Sequence, residues 1–126
     1  MENQAGHRGL KVYQLSYQLA MEIFFLSRSF PKEETYSLTD QIRRSSRSVP
    51  ANIAEAYRKR LYPKHFVSKL SDADGEGSET QVWLETSRDC GYITKEKCSE
   101  LITRYEEVGR MLGGMIANPE RFLPKY

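Results

Sequence analysis

Apolar residues recur along this chain at three- and four-residue steps in four stretches separated by prolines, glycines and short polar segments. That is the pattern of amphipathic helices. The first stretch runs from Leu10 to about Ser29 and places Val12, Leu15, Leu19, Ile23 and Leu26 on one stripe. Phe30-Pro31 ends it, because the residue before a proline is pushed out of the helical region. Tyr17, Met21 and Phe24 form a second apolar stripe nearly opposite the first. A helix with two apolar faces in a polar chain implies that something covers the second, and the simplest cover is another copy of the chain.

The second helix starts near Thr35, Ser37 or Thr39, any of which can cap it through its hydroxyl. Leu38, Ile42, Ile53, Ala54 and Tyr57 supply its apolar positions, with Pro50 in the middle. Proline lacks a backbone donor and its ring clashes with the carbonyl four residues back, so a kink or break is expected over Ser46 to Val49. Ser45, Ser46, Ser48 and Asn52 are placed to satisfy the freed backbone groups. After Leu61-Tyr62, Pro63 occupies the favourable first turn of a third helix. Along it Phe66, Leu70, Ala73, Gly77, Thr80, Leu84 and Ser87 alternate steps of four and three without a slip, a bundle seam. Its thin middle predicts a tight crossing against a bulky neighbour, and Gly91 ends it. Thr94 caps a fourth helix carrying Leu101, Ile102, Tyr105, Val108, Leu112 and Ile116, with Met111 and Met115 beside that face. Gly113-Gly114 and Asn118-Pro119 mark its fraying and end.

Four helices on short connections predict an all-α, up-and-down four-helix bundle with a proline-kinked second helix, assembling as a homo-oligomer. The bundle spans residues 10–118 between a flexible tail at 1–9 and a C-terminal tail at 119–126. The chain of 126 residues is long enough for one real core. With 39% hydrophobic and 29% charged residues it reads as globular rather than disordered. No apolar run reaches the ~20 residues a membrane span needs, and the first ten residues have no leader pattern, so a cytoplasmic location without membrane contact is expected.

Charge changes the picture locally. Net charge is only +2, yet Arg43 to Lys69 holds eight basic residues against Glu55 alone, and Asp72 to Asp89 holds six acids against Arg88. Such a layout suits an anionic partner or contact between subunits. The candidate nucleic-acid-binding set is Arg43 and Arg47, on one helix face, with Arg58, Lys59, Arg60 and Lys64 crowding the next turn among Tyr57, Tyr62 and Phe66. The bland reading is that these charges pair with Asp72, Asp74 or Glu76 of a neighbouring helix or subunit.

Catalytic and metal chemistry find no support. Asp72, Asp74, Glu76 and Gly77 imitate the start of a calcium loop, but Trp83 stands where a bidentate glutamate is required. Neither His7 nor His65 belongs to an inward Glu-x-x-His motif or stands beside a nucleophile. Cys90 and Cys98 read as reduced thiols flanking the turn at Gly91-Tyr92. No cofactor, metal or enzymatic activity is therefore expected.

Ser48-Val49-Pro50-Ala51-Asn52-Ile53-Ala54-Glu55-Ala56 resembles the four-helix-bundle family first known from open reading frames in intervening sequences of 23S ribosomal RNA genes. The resemblance extends to Val12-Tyr13-Gln14, Phe30 to Glu34, Leu38 to Arg44, Glu79-Thr80-Gln81 and Gly91-Tyr92-Ile93, nearly the whole chain. Ala56 stands where the family commonly has glycine, and Asp72 to Gly77 is more acidic than usual. The resemblance implies a homopentameric barrel, in keeping with Tyr17, Met21 and Phe24 as an oligomer interface. A protein of similar fold, the accessory variability determinant of diversity-generating retroelements, binds nucleic acid and a reverse transcriptase. By that analogy the chain is expected to bind itself and RNA or DNA, with docking of an acidic protein partner as the alternative.

Overall fold

The computed structural model describes residues 5–124. Four α-helices are found among them: α1 (Lys11–Ser27), α2 (Leu38–Arg58), α3 (Pro63–Asp89) and α4 (Lys95–Ala117). Three short 3-10 turns accompany them at Gly6–Gly9, Lys32–Glu34 and Pro119–Phe122. Each helix packs on its neighbour in sequence and α4 returns to α1, while the backbones of the diagonal pairs stay farther apart. The core is the strip that all four share.

The seam read for α3 is the buried face of that helix: Phe66, Leu70, Ala73, Gly77, Thr80, Leu84 and Ser87 are its buried residues. Its thin middle faces Tyr105 and Val49, as expected, but a methyl group added at Gly77 would lie 3.9 Å from the Tyr105 ring and 4.0 Å from Val49. The crossing is snug without requiring glycine. At the far end Gly91 has φ +80°, which an L side chain adopts only with strain. The Tyr92 amide donates to the Ser87 carbonyl and the Gly91 amide to that of Arg88, closing the helix as a Schellman turn. Thr94 caps α4 by accepting from the Lys97 amide at 3.0 Å.

Several local expectations need correction. α2 runs unbroken through the buried Pro50, so of the expected kink or break the break does not occur. Ser45, Ser46, Ser48 and Asn52 do not serve the Ser46 carbonyl that Pro50 leaves free; they donate to the carbonyls of Ile42, Arg43, Arg44 and Ser48. The hydroxyls of Thr35, Ser37 and Thr39 do not cap α2, whose first amide, Leu38, donates instead to the Glu34 carboxylate. α4 continues through Gly113-Gly114 to Ala117, with Met115 buried and Ile102 and Ile116 only partly so. Leu15 and Leu26 of α1 are likewise half-buried, whereas Ser16, Ala20 and Ser27 are buried. The Ser16 and Ser27 hydroxyls donate to the carbonyls of Tyr13 and Phe24, so their burial leaves no orphan donor.

The segments read as tails are structured where described. Residues 6–9 form a turn against α1 and α2, closed by the Leu10 amide on the His7 carbonyl and by Gln14 Nε2 on the Arg8 carbonyl at 2.7 Å. Phe122 packs on Phe66 with ring centroids 6.0 Å apart. Residues 1–4 and 125–126 of the expected tails lie outside the described residues. No helix among the described residues is long and apolar enough to cross a membrane.

Candidate nucleic-acid interface

The six basic residues singled out in the sequence do not form one patch. Arg43, Arg47 and Arg58 share a face of α2, since steps of four and eleven residues return to nearly the same angle. At 1.5 Å per residue, however, Arg58 lies roughly 16 Å along the axis from Arg47. The set divides into a mid-helix pair and a corner group.

In the mid-helix pair, Arg43 is held by the fold. Its Nε–H donates to Ser27 Oγ at 2.8 Å, an Nη–H reaches the Phe24 carbonyl at 3.4 Å, and the guanidinium stands 4.8 Å from the centre of the Phe24 ring. It clamps the last turn of α1 onto α2. Arg47 is exposed and contributes a looser contact to the same ring at 5.7 Å. Phe24 is thus covered by two arginines of its own chain. The outward apolar face of α1 is better described by Tyr17, Met21 and Phe25, at 52%, 40% and 56% exposure. Between this face and α2 lies a groove of about 240 Å³ floored by Ala20, Pro50, Ala51 and Ala54.

At the corner between α2 and α3, Arg60 is also fixed. Its Nε–H donates to the Tyr57 carbonyl at 2.9 Å, Nη1 reaches the Phe122 carbonyl at 3.4 Å, and the guanidinium lies 3.7 Å from the Tyr57 ring centre. Arg58, Lys59 and Lys64 are exposed and make no hydrogen bond or ion pair to another side chain among the described residues. The acidic run does not neutralise them within the chain. Glu76 and Glu79 pair with Arg44, Glu79 also accepts from the Trp83 indole at 3.0 Å, and Glu55 pairs with Lys69 at 2.7 Å. The first turn of α3 carries Lys64 and His65 and no acid, the reverse of what the positive end of a helix dipole favours.

Two residues outside the sequence-derived set join this corner. The Gly6–Gly9 turn, which Gly6 enters at φ +71°, brings His7 and Arg8 beside Tyr57, Arg58 and Arg60 around a recess of about 340 Å³. Burial and the neighbouring Arg8 charge push the His7 imidazole below its ordinary value, favouring the neutral form. The only hint in the sequence was a pair of glycines bracketing His7-Arg8.

Among the described residues no three His, Cys, Asp or Glu side chains converge to hold a metal ion. Asp72 to Gly77 lies inside α3 rather than in a loop. Cys98 is buried, its thiol 3.5 Å from the Leu84 carbonyl and pushed up chiefly by burial, while Cys90 is exposed; both are free.

Comparison with known proteins adds to this geometry. The model of the family described as 23S rRNA-intervening sequence protein matches residues 8–114. No curated protein matches the chain. Among solved structures, one from Bacteroides thetaiotaomicron is described as a protein with unknown function from the S23 ribosomal protein family. It is 31% identical, superposes with a TM-score of 0.76, and the match covers 84% of this chain and 95% of that one.

Proposed function

The chain belongs to the 23S rRNA-intervening sequence protein family, and from that premise we propose that it is a non-enzymatic, up-and-down helical bundle that binds structured RNA or other nucleic acid through its basic corner. One observation carries the reading: Arg58 and Lys59 at the C-terminal end of α2, and Lys64 in the acid-free first turn of α3, stand exposed without an acidic partner among the described residues. Crowding these cations at one corner costs the isolated protein a little stability through like-charge repulsion and, for Lys64, through the α3 dipole, and an anionic ligand offsets it. Phosphates meet the requirement, because lysine and arginine contacts to them release condensed counterions.

The experiment is a fluorescence-anisotropy titration of a panel of structured RNAs across salt concentrations. Three to four phosphate contacts give a log-affinity slope against log salt of about −2 to −3.5. Reversing Arg58, Lys59 and Arg60 to glutamate should abolish binding. Absence of binding at low salt, or binding indifferent to the reversal, overturns the proposal.

The exposed Tyr17, Met21 and Phe25 on successive turns of α1 support a second element, assembly into a homo-oligomer, a pentamer by the family resemblance. Met21→Glu with Phe25→Glu should then give monomers by light scattering, and a retained oligomer would place the contact elsewhere. In the rival reading the basic corner serves only protein contacts, so the charge reversal would dissolve a complex while RNA binding stayed at background.

A further inference from the structure

We propose that the recess between the Gly6–Gly9 turn and the α2–α3 corner is a nucleotide-phosphate site in which Arg8 and Arg58 grip the phosphate and the fixed Arg60 guanidinium backs it. The proposal rests on the nucleic-acid reading for the source of the phosphate, and it adds a ligand, Arg8, from a part of the chain that the basic stretch of the sequence does not include.

Three features of the recess point to an anion. It brings the guanidinium-bearing residues Arg8, Arg58 and Arg60 together, and no acidic residue lines it among the described residues. A second arginine-lined depression, around Arg43, Arg44 and Arg47, contains Asp40, and Arg44 there is already paired with Glu76 and Glu79. Arg8 and Arg58 are exposed and make no side-chain hydrogen bond or ion pair among the described residues, so their donors are available. The α2 C-terminus accounts for cations at Arg58 and Arg60, which sit at the negative end of the helix dipole. It does not account for Arg8, carried in by a separate turn that is itself tied down through the Arg8 carbonyl.

Arg60 gives the recess a rigid wall. It is immobilised by two carbonyls and by the Tyr57 ring, so little rotamer entropy remains to be lost on binding. A volume of about 340 Å³ falls within the range of small-molecule pockets and exceeds the needs of a bare phosphate. The remaining space suits the sugar or base, for which a guanidinium plane is a stacking surface.

The test uses amide TROSY spectra of the full-length protein titrated with adenosine 5′-monophosphate, inorganic phosphate and, as the phosphate-free arm, adenosine. Saturable shifts at Gly6, Arg8 and Leu61 are expected with the monophosphate and not with adenosine. Arg8→Ala should weaken the interaction roughly fivefold or more, the loss of one charge-assisted contact at an exposed site. Arg110→Ala, on the exposed side of α4, should leave it unchanged. In parallel, Arg8→Ala should reduce the salt slope for a single-stranded RNA by ~0.7. Shifts centred elsewhere, or indifferent to Arg8→Ala, overturn the site. RNA binding without monophosphate shifts here removes this inference and leaves the nucleic-acid reading standing. Monophosphate shifts here without any RNA binding uphold a nucleotide site and remove that reading instead.

Discussion

Arg43→Ala separates a structural arginine from a phosphate-binding one, and the structure sets the size of the effect. The substitution removes the 2.8 Å bond from Nε to Ser27 Oγ, the longer contact to the Phe24 carbonyl and the cation–π contact at 4.8 Å. A hydrogen bond from a charged group contributes about 1.5–3 kcal/mol, and the lower end applies at this half-buried position. The ring contact adds ~0.5 kcal/mol. No buried donor is orphaned, because the Ser27 hydroxyl keeps its own bond to the Phe24 carbonyl. The expected loss is therefore about 2 kcal/mol. With an unfolding entropy of about 2.1 cal/mol/K per residue over 126 residues, this lowers Tm by ~8 °C. Calorimetry at fixed protein concentration reads it, and the RNA salt slope, measured where the variant is folded, should stay at the wild-type value. Arg47→Ala should do the opposite, moving stability by less than ~0.5 kcal/mol and lowering the slope if Arg47 reaches a phosphate. An Arg43→Ala protein with unchanged Tm and a slope reduced by 0.7–0.9 units would show that the clamp is not what holds α1 and that Arg43 belongs to the interface.

Gly75→Ala, on the exposed face of α3 with nothing near its added methyl, should stabilise by ~0.5–1 kcal/mol through helix propensity alone. Gly77→Ala should match or exceed it, since its methyl meets Tyr105 and Val49 at ordinary contact distance; a lower Tm at 77 would mean that the crossing does require glycine. The Tyr92 hydroxyl is pushed up to about 12 chiefly by its hydrogen bond to Glu34. The stability from this contact is complete below the ordinary value of 10.0 and is lost as pH rises toward about 12, so Tyr92→Phe should flatten that part of the alkaline decline. The Arg104 guanidinium holds the Glu22 carboxyl below its usual range, so that contribution is present above the unfolded value and disappears as pH falls through the folded one. Glu22→Gln should accordingly remove part of the acid-side loss of Tm.

Hydrophobic periodicity revealed most where a helix lies closest against its two neighbours. α3 packs on α2 and α4, so one strict seam meets one continuous core and each seam residue is buried. It revealed less for α1, where Ser16 and Ser27 lie inside because their hydroxyls bond to carbonyls of their own helix, something an apolar stripe cannot register. Of the two outcomes the proline rule allowed at Pro50, a break does not occur, because one missing donor is tolerated in a helix that packing holds on both sides. Charge spacing located the basic residues and missed their division of labour. Whether an arginine is free or committed depends on carbonyls far away in sequence, those of Phe24 for Arg43 and of Phe122 for Arg60. Arg8 carries no such signal, because its flanking Gly6 and Gly9 have the composition of a tail.

The two ends of the bundle are finished differently. At one end the α3–α4 turn is laced to the α1–α2 connection, with the Tyr92 hydroxyl on Glu34 and the Tyr92 and Phe30 rings 5.4 Å apart. At the other, Ala5 and Pro124, where the described chain begins and stops, line the recess together with Arg8 and Arg58. An affinity handle or fused domain joined directly at Ala5 or Pro124 would therefore start next to the basic corner. An acidic tag would act as a tethered competitor at high local concentration, and a polyhistidine tag would add cations of its own. Binding measured on tagged protein would report the handle as much as the fold, and a handle inserted at the laced end would keep the recess clear.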